Sequence, residues 1–138
     1  MWVSPIKTLA SGLMLASLVV VGMTAQSPKR GGNPEAAKLK NPEPATAESI
    51  AAGEKIYMHY CQGCHSANAK GGTASESGPP PPDLTDAVWE HGSSDGEIHD
   101  VIENGVPPNL FMGPFGGQIN STDIWHLVNY LRSLGPKK

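Results

Sequence analysis

The chain has 138 residues, with 10 Lys and Arg against 13 Asp and Glu and a formal net charge of −3. Between Glu48 and Leu131 the acids Glu48, Glu54, Glu76, Asp83, Asp86, Glu90, Asp95, Glu97, Asp100, Glu103 and Asp123 stand against only Lys55 and Lys70, which excludes nucleic acid as a partner because phosphate backbones demand the opposite sign. With just two Phe, a domain of this size has a thin apolar core of its own and needs another source of buried surface.

Residues 8–25 carry no charge and are rich in Leu, Val, Ala and Met, with Lys7 before them and Lys29-Arg30 after. This reads as an export segment whose apolar centre has signal-peptide length, while the whole uncharged stretch approaches the minimum for a bilayer span. Residues 1–25 are therefore a signal peptide cleaved after Ala25 or, alternatively, an N-terminal membrane anchor. The segment holds no cysteine, so no lipoprotein anchor is expected. Either outcome places the rest of the chain on the periplasmic side of a bacterial inner membrane. Residues 26–45 are Pro, Gly, Asn, Lys and Glu with almost no large apolar side chains and read as a flexible linker. The remainder, residues 46–138, forms one domain.

The first helix is expected from Thr46 or Ser49 to the cysteines, with Ile50, Gly53, Ile56, Tyr57 and Tyr60 sharing a face. It delivers Cys61-Gln62-Gly63-Cys64-His65, which contains both cysteines of the chain. Cys-x-x-Cys-His lets two thiols add across the vinyl groups of a haem while the next imidazole ligates the iron. A zinc site would need further ligands from elsewhere, and a dithiol redox site would want a surrounding βαβ pattern. A covalently held haem would also supply the missing apolar core.

Beyond the motif, Gly78-Pro79-Pro80-Pro81-Pro82-Asp83-Leu84 favours extended polyproline geometry. It reads either as a docking peptide for a proline-binding module or, preferably, as a rigid wall beside His65 with a proline carbonyl accepting the imidazole N–H. Ser94-Asp95-Gly96-Glu97 is a capping box that opens a middle helix, with Ile98, Val101 and Ile102 as its apolar stripe and Gly105 as its stop. The next loop holds Met112 among prolines that restrict the backbone and glycines that permit close approach to a ring. Its thioether is read as the distal iron ligand in preference to a core gap-filler, since a His/Met pair suits electron transfer. His59 and Met58 lie too near the motif to reach the opposite face. His91, His99 and His126 are further rivals, the last two expected on the polar sides of their helices. The last helix begins around Ser121-Thr122-Asp123 and carries Ile124, Leu127, Val128, Leu131 and Leu134 until Gly135-Pro136 ends it. No alternating run long enough for a strand intervenes. The expected fold is all-α, three or more helices with long loops wrapped around the cofactor.

These residues together resemble a class I monohaem cytochrome c over about residues 47–134. The shared elements are Gly53 to Tyr57 ahead of the haem motif, Pro82-Asp83-Leu84, Gly105-Val106 with Met112 and Phe115-Gly116-Gly117, and Asp123-Ile124-Trp125 through Tyr130-Leu131. The resemblance implies a small cytochrome c fold in which the first and last helices cross, Gly53 allowing close approach and Tyr57 meeting Tyr130. It implies one haem c joined by thioethers at Cys61 and Cys64, with His65 the proximal and Met112 the distal ligand of its iron. Pro82 would bond His65, Trp89 would pack at a propionate, and Tyr57 and Phe115 would pack in the pocket. The family usually has Pro directly after the ligand Met, whereas here Gly113 intervenes.

The function expected is that of a periplasmic one-electron carrier, not an enzyme, acting as a monomer between a redox donor and acceptor such as a dehydrogenase, an oxidase or another cytochrome. Two alternatives stay open. One is a haem protein reactive with peroxide or gases through a labile distal Met. The other is a cytochrome subunit held at the membrane by residues 8–25 and dedicated to one dehydrogenase or oxidase.

Overall fold

The computed structural model describes residue 1 and residues 32–72, 78–108 and 110–135. The export segment, the first part of the linker and residues 73–77 of the loop after the haem motif lie outside the described residues. Helix α1 spans Ala47–Tyr60, α2 Gln62–His65, α3 Asp95–Asn104 and α4 Ser121–Leu134, with a 3-10 turn at Ala36–Lys38 before them. No strand occurs among the described residues, and the fold is all-α.

Local chemistry sets the helix ends. Thr46 caps α1 by accepting from the Ser49 amide at 3.2 Å. At α3, the Ser94 hydroxyl accepts from the Glu97 amide at 3.2 Å while the Glu97 carboxylate accepts from the Ser94 amide at 2.9 Å, closing the capping box. Gly105 stops α3 with φ of +75°, and an added Cβ there would lie 2.7 Å from the Met112 carbonyl oxygen. Helix α4 starts at Ser121, where its Ser-Thr-Asp signature places it, and its N-cap is Asn120, which accepts from the Asp123 amide at 2.9 Å.

The capping box makes a pH-dependent contribution. The Ser94 amide and hydroxyl hold the Glu97 carboxyl below its ordinary value of 4.5. A depressed carboxyl stabilises the fold fully above that ordinary value and loses the contribution as pH falls through the folded value. Ser94→Ala is expected to cost about 1 kcal/mol at pH 7, with the gap to wild type narrowing at pH 3. Urea midpoints at the two pH values measure this, and equal gaps would show that the Glu97 carboxylate adds nothing.

Helices α1 and α4 form the central contact. A Cβ at Gly53 would collide with the His126 carbonyl and lie 2.8 Å from the Tyr130 Cβ, so only glycine lets the two backbones approach this closely. Tyr57 packs on Tyr130 with ring centroids 5.4 Å apart and planes tilted by 50°. Ile124, Leu127, Val128 and Leu131 are buried at three-and-four spacing, joined by Ile98 and Ile102 from α3. Trp125, Asn129 and Tyr130 are buried too, so α4 is covered on more sides than its apolar stripe alone requires.

Part of that cover comes from residues 32–45, and here the expectation of a flexible linker up to residue 45 is corrected. Ala36 is 3% exposed, and Gly96 is so close to it that a Cβ would strike the Ala36 carbonyl. Asn41 donates to the Asn129 side-chain oxygen at 2.9 Å and to the Trp125 carbonyl at 3.3 Å. Asn129 in turn donates to the Glu43 carbonyl at 3.1 Å and to the Ser49 hydroxyl at 2.8 Å. Hydrogen bonds to α4 and the seating of Ala36 against Gly96 of α3, rather than large apolar side chains, order this polar stretch.

Candidate functional site

The C-terminus of α1 and the single turn of α2 present the two thiols and the imidazole together. Cys61 closes α1 by donating its amide to the Tyr57 carbonyl at 2.8 Å, and its own carbonyl accepts from Cys64 and His65 at 3.1 and 2.9 Å. Cys61 is half-buried and Cys64 exposed. Burial first, and the neighbouring Cys64 second, push the Cys61 thiol up to about 11. A reactive dithiol pair would have its thiolate stabilised instead, so the motif does not have the electrostatics of a redox-exchange site.

His65 is buried, with Nδ1 facing the Pro82 carbonyl oxygen at 3.5 Å. That contact is long, and it directs Nδ1 to the polyproline wall and leaves Nε2 as the nitrogen able to meet a metal. Burial lowers the imidazole's pKa, with the Pro82 contact opposing it, and a neutral imidazole is the form that ligates. The wall is held in place from behind. The Leu84 amide donates to the Ala69 carbonyl at 2.8 Å, and a Cβ at Gly71 would collide with the Pro81 carbonyl oxygen.

The Met112 loop is clamped onto α3. The Met112 carbonyl accepts from the Val106 amide at 3.0 Å, the Phe115 amide donates to the Ile102 carbonyl at 3.0 Å, and the Gly116 amide to that of Glu103 at 3.0 Å. These bonds use the backbone, and among the described residues none is made by the Met112 side chain, which is half-buried against the core. Phe115 meets the Tyr60 ring edge-on at 6.1 Å. Trp89 packs on the core and under the Arg132 guanidinium, 5.8 Å from its ring centre, while Arg132 also donates to Asp95 at 2.7 Å. Phe111, 60% exposed, lies against Gly78.

Two of the rival histidines, His99 and His126, are engaged elsewhere. His99, expected on a polar face, is 4% exposed; its Nε2 meets the Ser121 hydroxyl at 3.0 Å and its ring lies 4.0 Å from that of Trp125. Helix α4 covers the face that α3's own periodicity left polar. His126 Nδ1 meets the Ser49 hydroxyl at 2.8 Å. Ser66, which no motif in the sequence marks, follows His65 with φ of +67°, and its carbonyl accepts from the Tyr57 hydroxyl at 2.7 Å. The signal was present in Tyr57 itself, since a buried tyrosine needs a partner for its hydroxyl. Burial, with the nearby Cys61 and Tyr130, pushes that hydroxyl up to about 12, so it stays a donor at neutral pH.

The donor set fits a covalently held haem. Two thiols three residues apart close a helix, a buried imidazole with one nitrogen oriented comes directly after them, and the half-buried apolar side chains of Leu84, Trp89, Met112 and Phe115 remain beside the core. This fold and this site define a class I c-type cytochrome. Residues 48–131 match the family described as cytochrome c oxidase, cbb3-type, subunit III, and the chain belongs to that family. The covalent haem c and its iron go with that membership.

The chain is 38% identical over 88 residues to the cbb3-type cytochrome c oxidase subunit FixP of Bradyrhizobium sp. (strain ORS 278), a match covering 64% of this chain and 28% of that protein. The chain thus spans less than a third of the length of this relative. Among solved structures, it is similar to the Kuenenia stuttgartiensis reducing HAO-like protein complex Kustc0457/Kustc0458, with a TM-score of 0.61, 27% identity and coverage of 72% of this chain and 49% of that one. It is also similar to cytochrome cL from Methylophaga aminisulfidivorans, with a TM-score of 0.54, 28% identity and coverage of 69% and 57%. No helix among the described residues is long and apolar enough to cross a membrane.

Proposed function

We propose that this chain is a one-electron carrier holding one haem through thioethers at Cys61 and Cys64, with His65 and Met112 as the iron's axial ligands. It is an electron-transfer protein and not an enzyme in its own right. The observation that carries the reading is the joint placement of Cys61, Cys64 and a buried His65 whose Nδ1 is turned to Pro82. The bound group supplies the Fe(II)/Fe(III) couple, with the thioether ligand favouring the reduced state.

The chain's own residues supply the rest. Pro82 orients His65, the Val106 amide holds the Met112 backbone, and the α1–α4 core keeps both supports in place, so that little rearranges when the charge changes. The acid-rich composition of residues 48–131 favours a partner that presents basic side chains. Residues 1–25 export the domain to the periplasm, and the domain works as a monomer. The similarity to cbb3-type oxidase subunits also supports a more specific reading, in which the acceptor is a terminal oxidase complex and residues 8–25 keep the domain at the membrane beside it.

The test is the full chain expressed with a haem-attachment apparatus. The polypeptide mass should rise by one haem, and the reduced spectrum should be that of a low-spin c-type cytochrome that does not bind carbon monoxide. The reduced protein should be reoxidised by membranes containing a cbb3-type oxidase. A colourless product with free thiols would overturn the haem assignment, and a reduced protein that such membranes leave untouched would overturn the oxidase reading.

A further inference from the structure

Between the haem motif and the polyproline wall the chain makes a turn that its sequence does not favour. Ser66 has φ of +67° and ψ of 157°, a region that residues with a Cβ rarely occupy and that persists only where the surroundings impose it. The surroundings here are specific. The Ser66 carbonyl accepts two hydrogen bonds, from the Tyr57 hydroxyl at 2.7 Å and from the Ala69 amide at 3.1 Å. The Ser66 hydroxyl donates to the Gly71 carbonyl at 2.6 Å, and the Gly71 amide returns to the His65 carbonyl at 3.2 Å. Tyr57 is fully buried on α1 and its ring packs on Tyr130 of α4, so its hydroxyl is a fixed point.

The turn matters because it aims the next stretch of chain. Residues 69–72 back the wall that carries the Pro82 carbonyl, through the Leu84 amide on Ala69 and the close approach of Gly71 to Pro81. The direction of the chain at Ser66 therefore decides where that carbonyl stands relative to the His65 Nδ1.

We infer that Tyr57 and Ser66 are positioning residues for the proximal ligand: the Tyr57 hydroxyl holds the Ser66 peptide in its strained turn, and the turn sets the contact between Pro82 and His65. This rests on His65 being the proximal ligand. A bonded Nδ1–H makes the imidazole a stronger donor to iron and favours the oxidised state, so loosening the turn favours the reduced state.

The test uses the haem-loaded full chain. Tyr57→Phe, which keeps the ring in the core, is expected to raise the ratio of reduced to oxidised protein against a fixed redox couple by roughly 2- to 10-fold, the size of one neutral hydrogen bond. It should also move the paramagnetically shifted His65 ring resonances. Adding Ser66→Gly, which removes the strain of the turn together with the hydroxyl bond to Gly71, should abolish the effect of Tyr57→Phe, so that the double variant matches Ser66→Gly alone in both readouts. If Tyr57→Phe fails to load, recovery of loading in the double variant supports the inference and failure to recover overturns it. A Tyr57→Phe protein with wild-type ratio and resonances, or a double variant that differs from Ser66→Gly as much as Tyr57→Phe differs from wild type, overturns it as well. Wild type failing to carry haem would instead overturn the reading on which the inference rests.

Discussion

Met112→Ala is expected to lower the reduction potential by about 0.1 V or more, within the roughly 0.8 V over which axial ligands spread haem potentials, and to let the reduced protein bind carbon monoxide. The backbone bonds that clamp the loop, from Val106 to the Met112 carbonyl and from Phe115 and Gly116 to α3, do not use the Met112 side chain. The loop should therefore keep its place when the thioether is removed, and the change in potential should report ligation rather than unfolding. A redox titration and a carbon monoxide difference spectrum make the measurement. An unaltered potential without new ligand binding would show that Met112 fills space in the core and does not reach the iron.

Leu127→Ala is expected to destabilise the loaded protein by about 2 to 5 kcal/mol. Leu127 is fully buried in the middle of α4, in the same core as Tyr57, Ile98 and Ile102. The cavity has no easy route to collapse, because α1 and α4 already approach to the limit that Gly53 permits. Against a typical domain stability of about 5 to 15 kcal/mol, the loss is large enough to displace a denaturant midpoint well beyond error. A wild-type midpoint would show that α4 is not packed as described.

The charge balance, the helix ends and the haem motif could be read from residues alone because each is a local pattern. The Ser94 to Glu97 box closes over four residues, the apolar spacing of α4 repeats within one helix, and the thiols and imidazole of the motif lie within five positions. Gly53 and Tyr130 were likewise legible, through the resemblance, as the α1–α4 contact.

The order of residues 32–45 was not legible. Composition argued for a tether because few apolar side chains were available, whereas Asn41 and Asn129, nearly ninety positions apart, satisfy one another's polar groups across α4. The burial of His99 was not legible for a related reason: a ten-residue helix by itself shows which face is apolar, not which face a distant Trp125 will cover.

The residues alone thus specify a helical chain that presents two thiols and an imidazole together, since hydrophobic period, capping and a five-residue motif depend on near neighbours. Where the His65 ring points and how the polar segment before α1 is seated depend on partners distant in the chain, and Ser66 holds a conformation it would not choose because Tyr57, nine positions before it, is immobilised by packing. Those choices are settled when α1 and α4 close on each other, because a fixed hydroxyl or carbonyl can impose a local geometry only once packing has immobilised it.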